Sequence, residues 1–328
     1  MKLLCNHIFR TRQTHTDEVA WSAGRFAKAI GLDHMLAIVI ALAHDLGHPP
    51  FGHSGEITLN RLLLQNFENG FDHDRQTLRT LVFLEHIRDE WKGLNLCQQI
   101  LMDIRARGNR EHMLNVYATE GYPQGYMSLE GQVVEFSDKL TFLIHDLEDM
   151  IRLGIVTLEE LCQNKFFKSI ISFIKVKLCD RDCKDENMFL ARFKTDIYLY
   201  FLDSLYTNFI ELAESLMKYR EKSRQRIIFI TESKLITCQP DIQEIFMDAL
   251  GWMYENIYKA KMKDRDDLTD NAIAALFDLM YRKPKFRELF GRKIPQVENE
   301  SLARHIADKI ADADESYVES FIKHYMIP

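Results

Sequence analysis

The sequence predicts an all-α protein, and three observations support this prediction. Apolar residues recur at three- and four-residue intervals along most of the 328 residues, which is the spacing of one helix face. The sequence shows little two-residue alternation, the pattern of a half-buried strand, except at residues 226–231, and that stretch could equally continue a helix. Several helical stretches end at residues that commonly stop helices, such as Gly31 and Gly154.

The first half of the chain contains five predicted helices, at residues 16–30, 35–46, 57–67, 71–84 and 129–153. Asp33 can cap the second of these, which is apolar nearly all round and is therefore expected to be central. Pro49-Pro50 cannot continue that helix, so we predict a loop that carries His53 and Glu56. Glycines and Pro123 predict a long loop, with at most short helices, at residues 105–128.

In the second half of the chain, the sequence predicts further helices joined by charged or proline-containing segments. They lie at residues 158–177, 187–219, 242–261, 269–280 and 301–325. We predict a core at residues 1–160 and a C-terminal helical region at residues 161–328 that continues the same domain.

Composition excludes several classes of protein. The chain is 46% hydrophobic and 28% charged, which is typical of a soluble globular protein with a substantial core. The net charge of -7 argues against a general nucleic-acid binder. The longest apolar run is far shorter than the roughly 20 residues that span a bilayer, so no membrane partner is expected. The six cysteines form no disulfide framework, which favours reduced thiols in the cytoplasm.

The stretch with the most chemistry is HDLGHPPFGHSGE, residues 44–56, directly after the most apolar run. His44-Asp45 offers a neutral nitrogen and a hard oxygen, a mixture that suits Mn, Fe, Co or Mg better than a thiolate-type zinc site. A buried charge at this position needs a partner or a metal ion. His15 and Asp138 could complete a site with two imidazoles and two carboxylates.

Each of these residues also has a plainer interpretation. His15 near a helix start could be a cap or a surface residue. Asp138, Phe142 and Asp146 share one helix face, and the two aspartates could simply be solvated. His73, between two aspartates, could form a surface ion pair. The combination of His15, His44-Asp45 and Asp138 indicates a metal site more specifically than any one of these residues does alone.

Several stretches together resemble one known family. They are RTRQTH at residues 10–15, HDLGHPPFGHSGE at 44–56, FDHDRQT at 71–77, GLNL at 93–96, LEGQVV at 129–134 and Asp138-Lys139. The sequence at residues 6–154 is similar to the deoxyguanosine triphosphate triphosphohydrolases, which are HD-domain phosphohydrolases. The resemblance implies an all-α HD fold, a divalent metal ion, and hydrolysis of a dGTP-like dNTP to deoxynucleoside and tripolyphosphate.

The resemblance also implies roles for individual residues. His53 would be the catalytic histidine, and Glu56 would orient it. The other implied roles are metal binding by His15, His44, Asp45 and Asp138, phosphate binding by Arg12, His48, His73 and Lys139, and contacts with the sugar by Phe142 and Asp146. Relatives assemble into oligomers and often respond to nucleotide effectors, so a homo-oligomer and an effector nucleotide are expected.

Three departures from the family pattern leave alternatives open. The sequence begins only a few residues before Arg10, where family members carry a further segment of the nucleotide pocket. Phe142 stands where a tyrosine is usual, and residues 103–107 replace a lysine-histidine pair. The alternatives are an HD enzyme for a monophosphate or cyclic nucleotide, and a silent nucleotide-binding regulatory subunit.

Overall fold

The computed structural model describes residues 12–66, 68–85, 88, 90–107, 127–178, 186–222, 235–258, 263–294 and 300–325. The regular elements among these residues are all helices, which confirms the all-α prediction. They are α1 (Arg12–Ala29), α2 (His34–Ala43), α3 (Gly52–Gln65), α4 (His73–Arg79), α5 (Gln98–Arg107), α6 (Leu129–Arg152), α7 (Leu158–Leu161), α8 (Lys165–Leu178), α9 (Glu186–Lys222), α10 (Pro240–Met253), α11 (Lys263–Arg282), α12 (Pro284–Leu289), α13 (Leu302–Ala311) and α14 (Glu315–Tyr325). Two π-helical turns, Thr80–Leu84 and Tyr254–Tyr258, continue α4 and α10. The ambiguous stretch at residues 226–231 and most of the predicted loop at residues 105–128 lie outside the described residues.

The chain forms two compact units, each built from two separated stretches of sequence. Unit 1 comprises Met1–Leu42 and Pro123–Met262, and unit 2 comprises Ala43–Tyr122 and Lys263–Pro328. The boundary predicted near residue 160 stays a prediction. No helix in the described ranges has both the length and the apolar character needed to cross a bilayer.

In unit 1, α1 packs against α6, and α6 packs against α9. Phe26 of α1 and Phe136 of α6 are both buried, with their ring centroids 6.0 Å apart. Gly24 allows α2 to approach α1 closely, because a Cβ there would lie 2.7 Å from Ile38 Cγ1. The Asp33 carboxylate accepts the Leu36 amide at 3.1 Å, which confirms the predicted cap of α2. These contacts position the N-terminal end of α1 beside α6.

In unit 2, α3, α11, α13 and α14 enclose an apolar core that includes Leu63, Phe277 and Phe290. The buried Arg79 guanidinium joins α4 to this core by hydrogen bonds to Asp308, the shortest of them 2.7 Å. Burial would lower the pKa of Arg79, but its hydrogen bonds to two carboxylates raise that pKa above its usual range. Arg79 therefore remains charged in the core and is compensated there.

The helix predicted at residues 35–46 ends at Ala43, before the two prolines. The Thr77 hydroxyl accepts the Gly47 amide at 2.8 Å and donates to the His44 carbonyl at 3.3 Å, so it bonds two groups that a continuing helix would use. Gly47 packs so closely on α4 that a Cβ would lie 2.0 Å from the Thr77 nitrogen. A tertiary contact, rather than proline, therefore ends this helix.

The predicted loop at His53 and Glu56 is also wrong, because both residues lie within the first two turns of α3. Phe51 adopts a left-handed conformation with φ of 67°, which reverses the chain and lets a helix begin at once. Gly55 allows the preceding turn to fold back, since a Cβ there would lie 2.0 Å from the Pro50 carbonyl oxygen. Two candidate catalytic side chains are thus held three residues apart on one helix.

Other helix boundaries differ where polar side chains begin a new helix. The predicted helix at residues 301–325 is divided into α13 and α14, and Asp314 caps α14 by accepting the Tyr317 amide at 2.7 Å. The predicted helix at residues 158–177 is likewise divided into α7 and α8, with Asn164 accepting the Phe166 amide at 2.9 Å. Helix α5 was not predicted. The remaining predicted helices agree within a few residues over the described chain.

Thr77→Val is expected to lower the free energy of unfolding by about 1–3 kcal/mol, because it leaves a buried amide and a carbonyl without their hydroxyl partner. Thr77 is fully buried, so water cannot replace the lost bonds. The measurement is urea unfolding at equilibrium. Thr195→Val on α9 is the control, since its hydroxyl bonds the Ala191 carbonyl at an exposed position. Equal stabilities of the two variants would contradict this account of the turn.

Candidate active site

Unit 2 begins at the last residue of α2, and a histidine-aspartate pair follows directly. His44 is fully buried, and its Nε2 atom lies 3.2 Å from Oδ1 of Asp45. The turn that follows brings His48 back, with its Nε2 atom 3.8 Å from the same carboxylate oxygen. The pair predicted from sequence is therefore formed, in a turn after the helix rather than within it.

Three imidazole rings meet beside this turn. His48 and His73 stack with ring centroids 3.8 Å apart and planes 8° from parallel. His53 meets both edge-on, at 5.4 Å from His48 and 5.8 Å from His73. The side chain of His53 is 74% exposed, whereas those of His48 and His73 are mostly buried. Three predicted residues from two helices and a turn thus form one cluster, with His53 the most accessible.

Glu56 organises the cluster. Its carboxylate accepts Nδ1 of His53 at 3.1 Å and, through the other oxygen, both Nδ1 and the backbone amide of His73 at 2.8 and 2.9 Å. Burial would raise the pKa of Glu56, but these hydrogen bonds outweigh it and hold the pKa well below its usual range. Because Nδ1 of each ring bonds Glu56, Nε2 is the atom that each histidine can offer to a ligand.

The electrostatics of His73 follow from the same contacts. Burial lowers its pKa, but the hydrogen bond to Glu56 and the charges of Asp74, Glu56 and Asp45 raise it above the ordinary value. A larger fraction of His73 is therefore protonated at neutral pH than of a free imidazole. A partly buried cation in a histidine cluster is suited to binding an anion.

In unit 1, α1 and α6 bring together a second imidazole-carboxylate pair. Nε2 of His15 lies 3.0 Å from Oδ1 of Asp138, and both side chains are about one-fifth exposed. From sequence, His15 could have been a helix cap or surface residue, and Asp138 could have been simply solvated. The structure instead pairs the two side chains with each other. The proximity of these two predicted residues, 123 positions apart in sequence, is set by the packing of α1 on α6.

The other unit 1 candidates lie on the same two helices. Arg12 is exposed in the first turn of α1, three residues before His15. Lys139 donates to Glu135 at 2.6 Å and is about half exposed. Phe142 is 38% exposed, and Asp146 is partly buried one turn further along α6. The shared helix face predicted for Asp138, Phe142 and Asp146 is therefore present on α6.

Comparison with known proteins places the chain in a family. The HD domain family matches residues 12–143. A deoxyguanosinetriphosphate triphosphohydrolase-like protein of Leptospira interrogans (serovar copenhageni) is 30% identical over 325 residues, covering 95% of this chain and 79% of the relative. The chain belongs to the deoxyguanosinetriphosphate triphosphohydrolase-like family of HD-domain proteins. Proteins with the same description in Syntrophus aciditrophicus and Wolinella succinogenes are 46% identical over 47% of this chain (38% of the relative) and 29% identical over 97% (87% of the relative).

Membership of this HD-domain family supports a phosphohydrolase, and HD domains generally bind divalent metal ions. The side chains fit such an ion. Two ligands at about 2.1 Å from one ion, at a right angle, lie about 3 Å apart. That is the separation of nitrogen from oxygen both in His15–Asp138 and in His44–Asp45. Within unit 2, ligand atoms of Asp45, His48 and His73 also lie within 4.8 Å of one another.

One polar network of this HD-domain protein was not predicted. In unit 1, Nε2 of His145 bonds Glu18 at 2.5 Å, and Lys194 of α9 donates to the same carboxylate oxygen at 2.6 Å. Glu18 lies one turn after His15, and His145 precedes Asp146 in the third His-Asp dipeptide of the sequence. The dipeptide is visible in the sequence and could have drawn attention to His145. No sequence pattern predicts the contact between Glu18 and Lys194.

Proposed function

We propose that this protein is a metal-dependent dNTP triphosphohydrolase that releases deoxynucleoside and tripolyphosphate. The observation that carries the proposal is the Glu56 carboxylate shared by His53 and His73, with the side chain of His53 largely exposed to solvent. The names of the relatives support the substrate class. Of the dNTPs, we propose dGTP as the first to test.

We propose that His15, His44, Asp45 and Asp138 hold a divalent ion, of which Mn, Mg, Fe and Co all suit the ligands. Within unit 1, His15 and Asp138 place an imidazole nitrogen and a carboxylate oxygen at the spacing of neighbouring ligands, and within unit 2 His44 and Asp45 do the same. When bound, the ion would supply Lewis-acid chemistry, which would polarise a phosphoryl oxygen and make water a better nucleophile. The protein's part is to fix these side chains before substrate arrives.

His53 has the geometry of a general acid. Attack of water at the α-phosphorus breaks the bond to the 5′-oxygen of the nucleoside, a poor leaving group that needs a proton. Glu56 accepts Nδ1–H of His53, which leaves Nε2 facing away from the carboxylate to deliver that proton.

The triphosphate requires compensation of several negative charges. We propose that His48 and His73 contact phosphate oxygens through Nε2, and the raised pKa of His73 favours the cationic form that binds an anion. Arg12 and Lys139 are the further phosphate contacts. Lys139, whose side chain is about half exposed, would exchange its bond to Glu135 for a bond to a phosphate.

The sugar contacts and the assembly complete the proposal. Asp146 would accept the sugar 3′-hydroxyl, and Phe142 would exclude a ribose 2′-hydroxyl by its bulk. We propose a cytoplasmic homo-oligomer with a possible site for an effector nucleotide, and no membrane or general nucleic-acid partner. These assignments are supported by the family resemblance.

Product analysis in ¹⁸O-water tests the proposal. Purified protein is incubated with each dNTP and Mn²⁺ or Mg²⁺, and the products are separated by ion exchange. We expect deoxynucleoside and tripolyphosphate, with ¹⁸O in the tripolyphosphate because water attacks phosphorus. Turnover of a monophosphate or cyclic nucleotide alone would indicate the other HD enzyme class. Nucleotide binding that becomes turnover only after a homologue is added would indicate a regulatory subunit.

A further inference from the structure

Two polar contacts join α1 to α6 side by side in unit 1. His15 of α1 meets Asp138 of α6 at 3.0 Å, and one turn later Glu18 of α1 meets His145 of α6 at 2.5 Å. The order of imidazole and carboxylate is reversed between the two contacts. The first pair is a candidate for binding metal, and the second has no role in the proposed reaction.

The two contacts touch each other through their imidazole rings. The rings of His15 and His145 meet edge to face, with centroids 5.6 Å apart and planes at 75°. The His145 side chain is 3% exposed, so its ring is enclosed by packing as well as by its bond to Glu18. A rotation of the His15 ring about its Cβ–Cγ bond would therefore have to displace a ring that is itself held.

We propose that Glu18 and His145 are positioning residues that hold the His15 ring with Nε2 towards Asp138, ready to bind a divalent metal ion. Glu18 fixes the His145 ring, and the His145 ring fixes that of His15. A ligand held in its binding rotamer loses less freedom when the ion binds, so the ion binds more tightly. The inference rests on the metal part of the proposed function and not on the substrate.

The surroundings of Glu18 suit this task. Burial would raise the pKa of Glu18, but hydrogen bonds from His145 and Lys194 lower it to about 2, so the carboxylate stays ionised at neutral pH. Lys194 anchors it from α9, a third helix. The bond that orients His145 is therefore charge-assisted and does not depend on the metal ion.

A cavity gives experimental access to this network. Glu18, His145 and Lys194 line a space of about 310 Å³ in unit 1, together with aromatic residues that include Trp21 and Tyr198. The Glu18 side chain is about one-third exposed. If Glu18 is truncated, a formate ion can reach the vacated position beside Lys194 and replace the carboxylate. Such replacement separates the action of the carboxylate from general packing.

The experiment measures Mn²⁺ binding without nucleotide, by the electron paramagnetic resonance signal of free Mn²⁺. Glu18→Ala is expected to raise the Kd for Mn²⁺ about tenfold, the lower end of the effect of residues that orient metal ligands. Added formate is expected to restore most of the affinity in Glu18→Ala and to leave the parent unchanged. Should Glu18→Ala not fold, Glu18→Gln keeps the shape and is expected to raise the Kd about threefold, because a neutral acceptor bonds more weakly.

Glu148→Ala is the matched control. Glu148 lies one turn beyond His145 on α6 and pairs with Arg152 at 3.0 Å, so its loss removes an ion pair from the same helix. We expect the Kd for Mn²⁺ in this variant to be that of the parent, with or without formate. A Kd for Glu18→Ala equal to that of Glu148→Ala, or no effect of formate on Glu18→Ala, overturns the inference.

The same proteins separate this inference from the proposed function. If the parent binds Mn²⁺ and the variants behave as expected but no dNTP is hydrolysed, the inference stands and the assigned reaction fails. If the parent hydrolyses dNTPs and Glu18→Ala binds Mn²⁺ like the parent, the reaction stands and the positioning role fails. A parent that binds no Mn²⁺ overturns the inference itself.

Discussion

Asp45→Asn is expected to lower kcat/KM for dNTP hydrolysis by about 10³-fold. A metal ion stabilises the transition state of such a reaction by several kcal/mol, and each 1.36 kcal/mol of that stabilisation changes the rate about tenfold. The Asp45 oxygen lies 3.2 Å from Nε2 of buried His44. The substitution replaces a proposed anionic ligand by a neutral amide of nearly the same shape. Both kcat/KM and bound Mn²⁺ per chain are measured. The two should fall together.

Asp72→Asn is the control for this substitution. Asp72 caps α4 by accepting the Arg75 amide at 2.9 Å, and asparagine caps helices about equally well. The control therefore makes the same chemical change in the same unit without touching a proposed ligand. Full metal content and activity in Asp45→Asn, with the fold intact by circular dichroism, would remove Asp45 from the site.

The sequence predicted the candidate site better than it predicted the local structure around it. The His15–Asp138 and His44–Asp45 pairs were foreseen as ligand types and are both formed. What the sequence could not show is why the chain turns at His44. The hydroxyl of Thr77, 33 residues away, bonds the His44 carbonyl, and no periodic pattern encodes such a contact.

The position of Glu56 shows a second limit. Prolines and glycines at residues 49–55 predicted a loop, but Gly55 serves close packing, and α3 already includes it. Phe51 adopts the left-handed conformation that a glycine would be expected to supply. Residue type alone therefore misplaced the start of α3, although the family resemblance implied that Glu56 orients His53 and the two side chains are hydrogen-bonded. Similarly, a recurring His-Asp dipeptide at residues 145–146 was visible, whereas its partner Glu18 became apparent only from helix packing.

Glu56→Gln should change stability with pH in a definite direction. The pKa of Glu56 is lowered, so its contribution is present above its unfolded value of 4.5 and is lost as the pH falls. The pKa of His73 is raised, so its contribution is present below its unfolded value of 6.5 and is lost as the pH rises through the raised value. In metal-free protein, the variant should be less stable than the parent by about 1.5–3 kcal/mol between these values, the range for hydrogen bonds to charged groups. Urea unfolding at several pH values measures the difference, and a constant difference across them would contradict the assignment.

Glu56→Gln is also expected to lower kcat by about 10²-fold, since general acid catalysis contributes 10²–10⁴-fold and the variant retains part of it. Glu56 acts through His53, whose Nδ1 it accepts at 3.1 Å, rather than on the substrate itself. A double-mutant cycle with His53→Ala tests this order of action. If Glu56 orients His53, the double variant should be no slower than His53→Ala alone, because the group that Glu56 positions is already absent. Independent losses that multiply in the double variant would assign Glu56 a separate role, such as holding His73 against the phosphates.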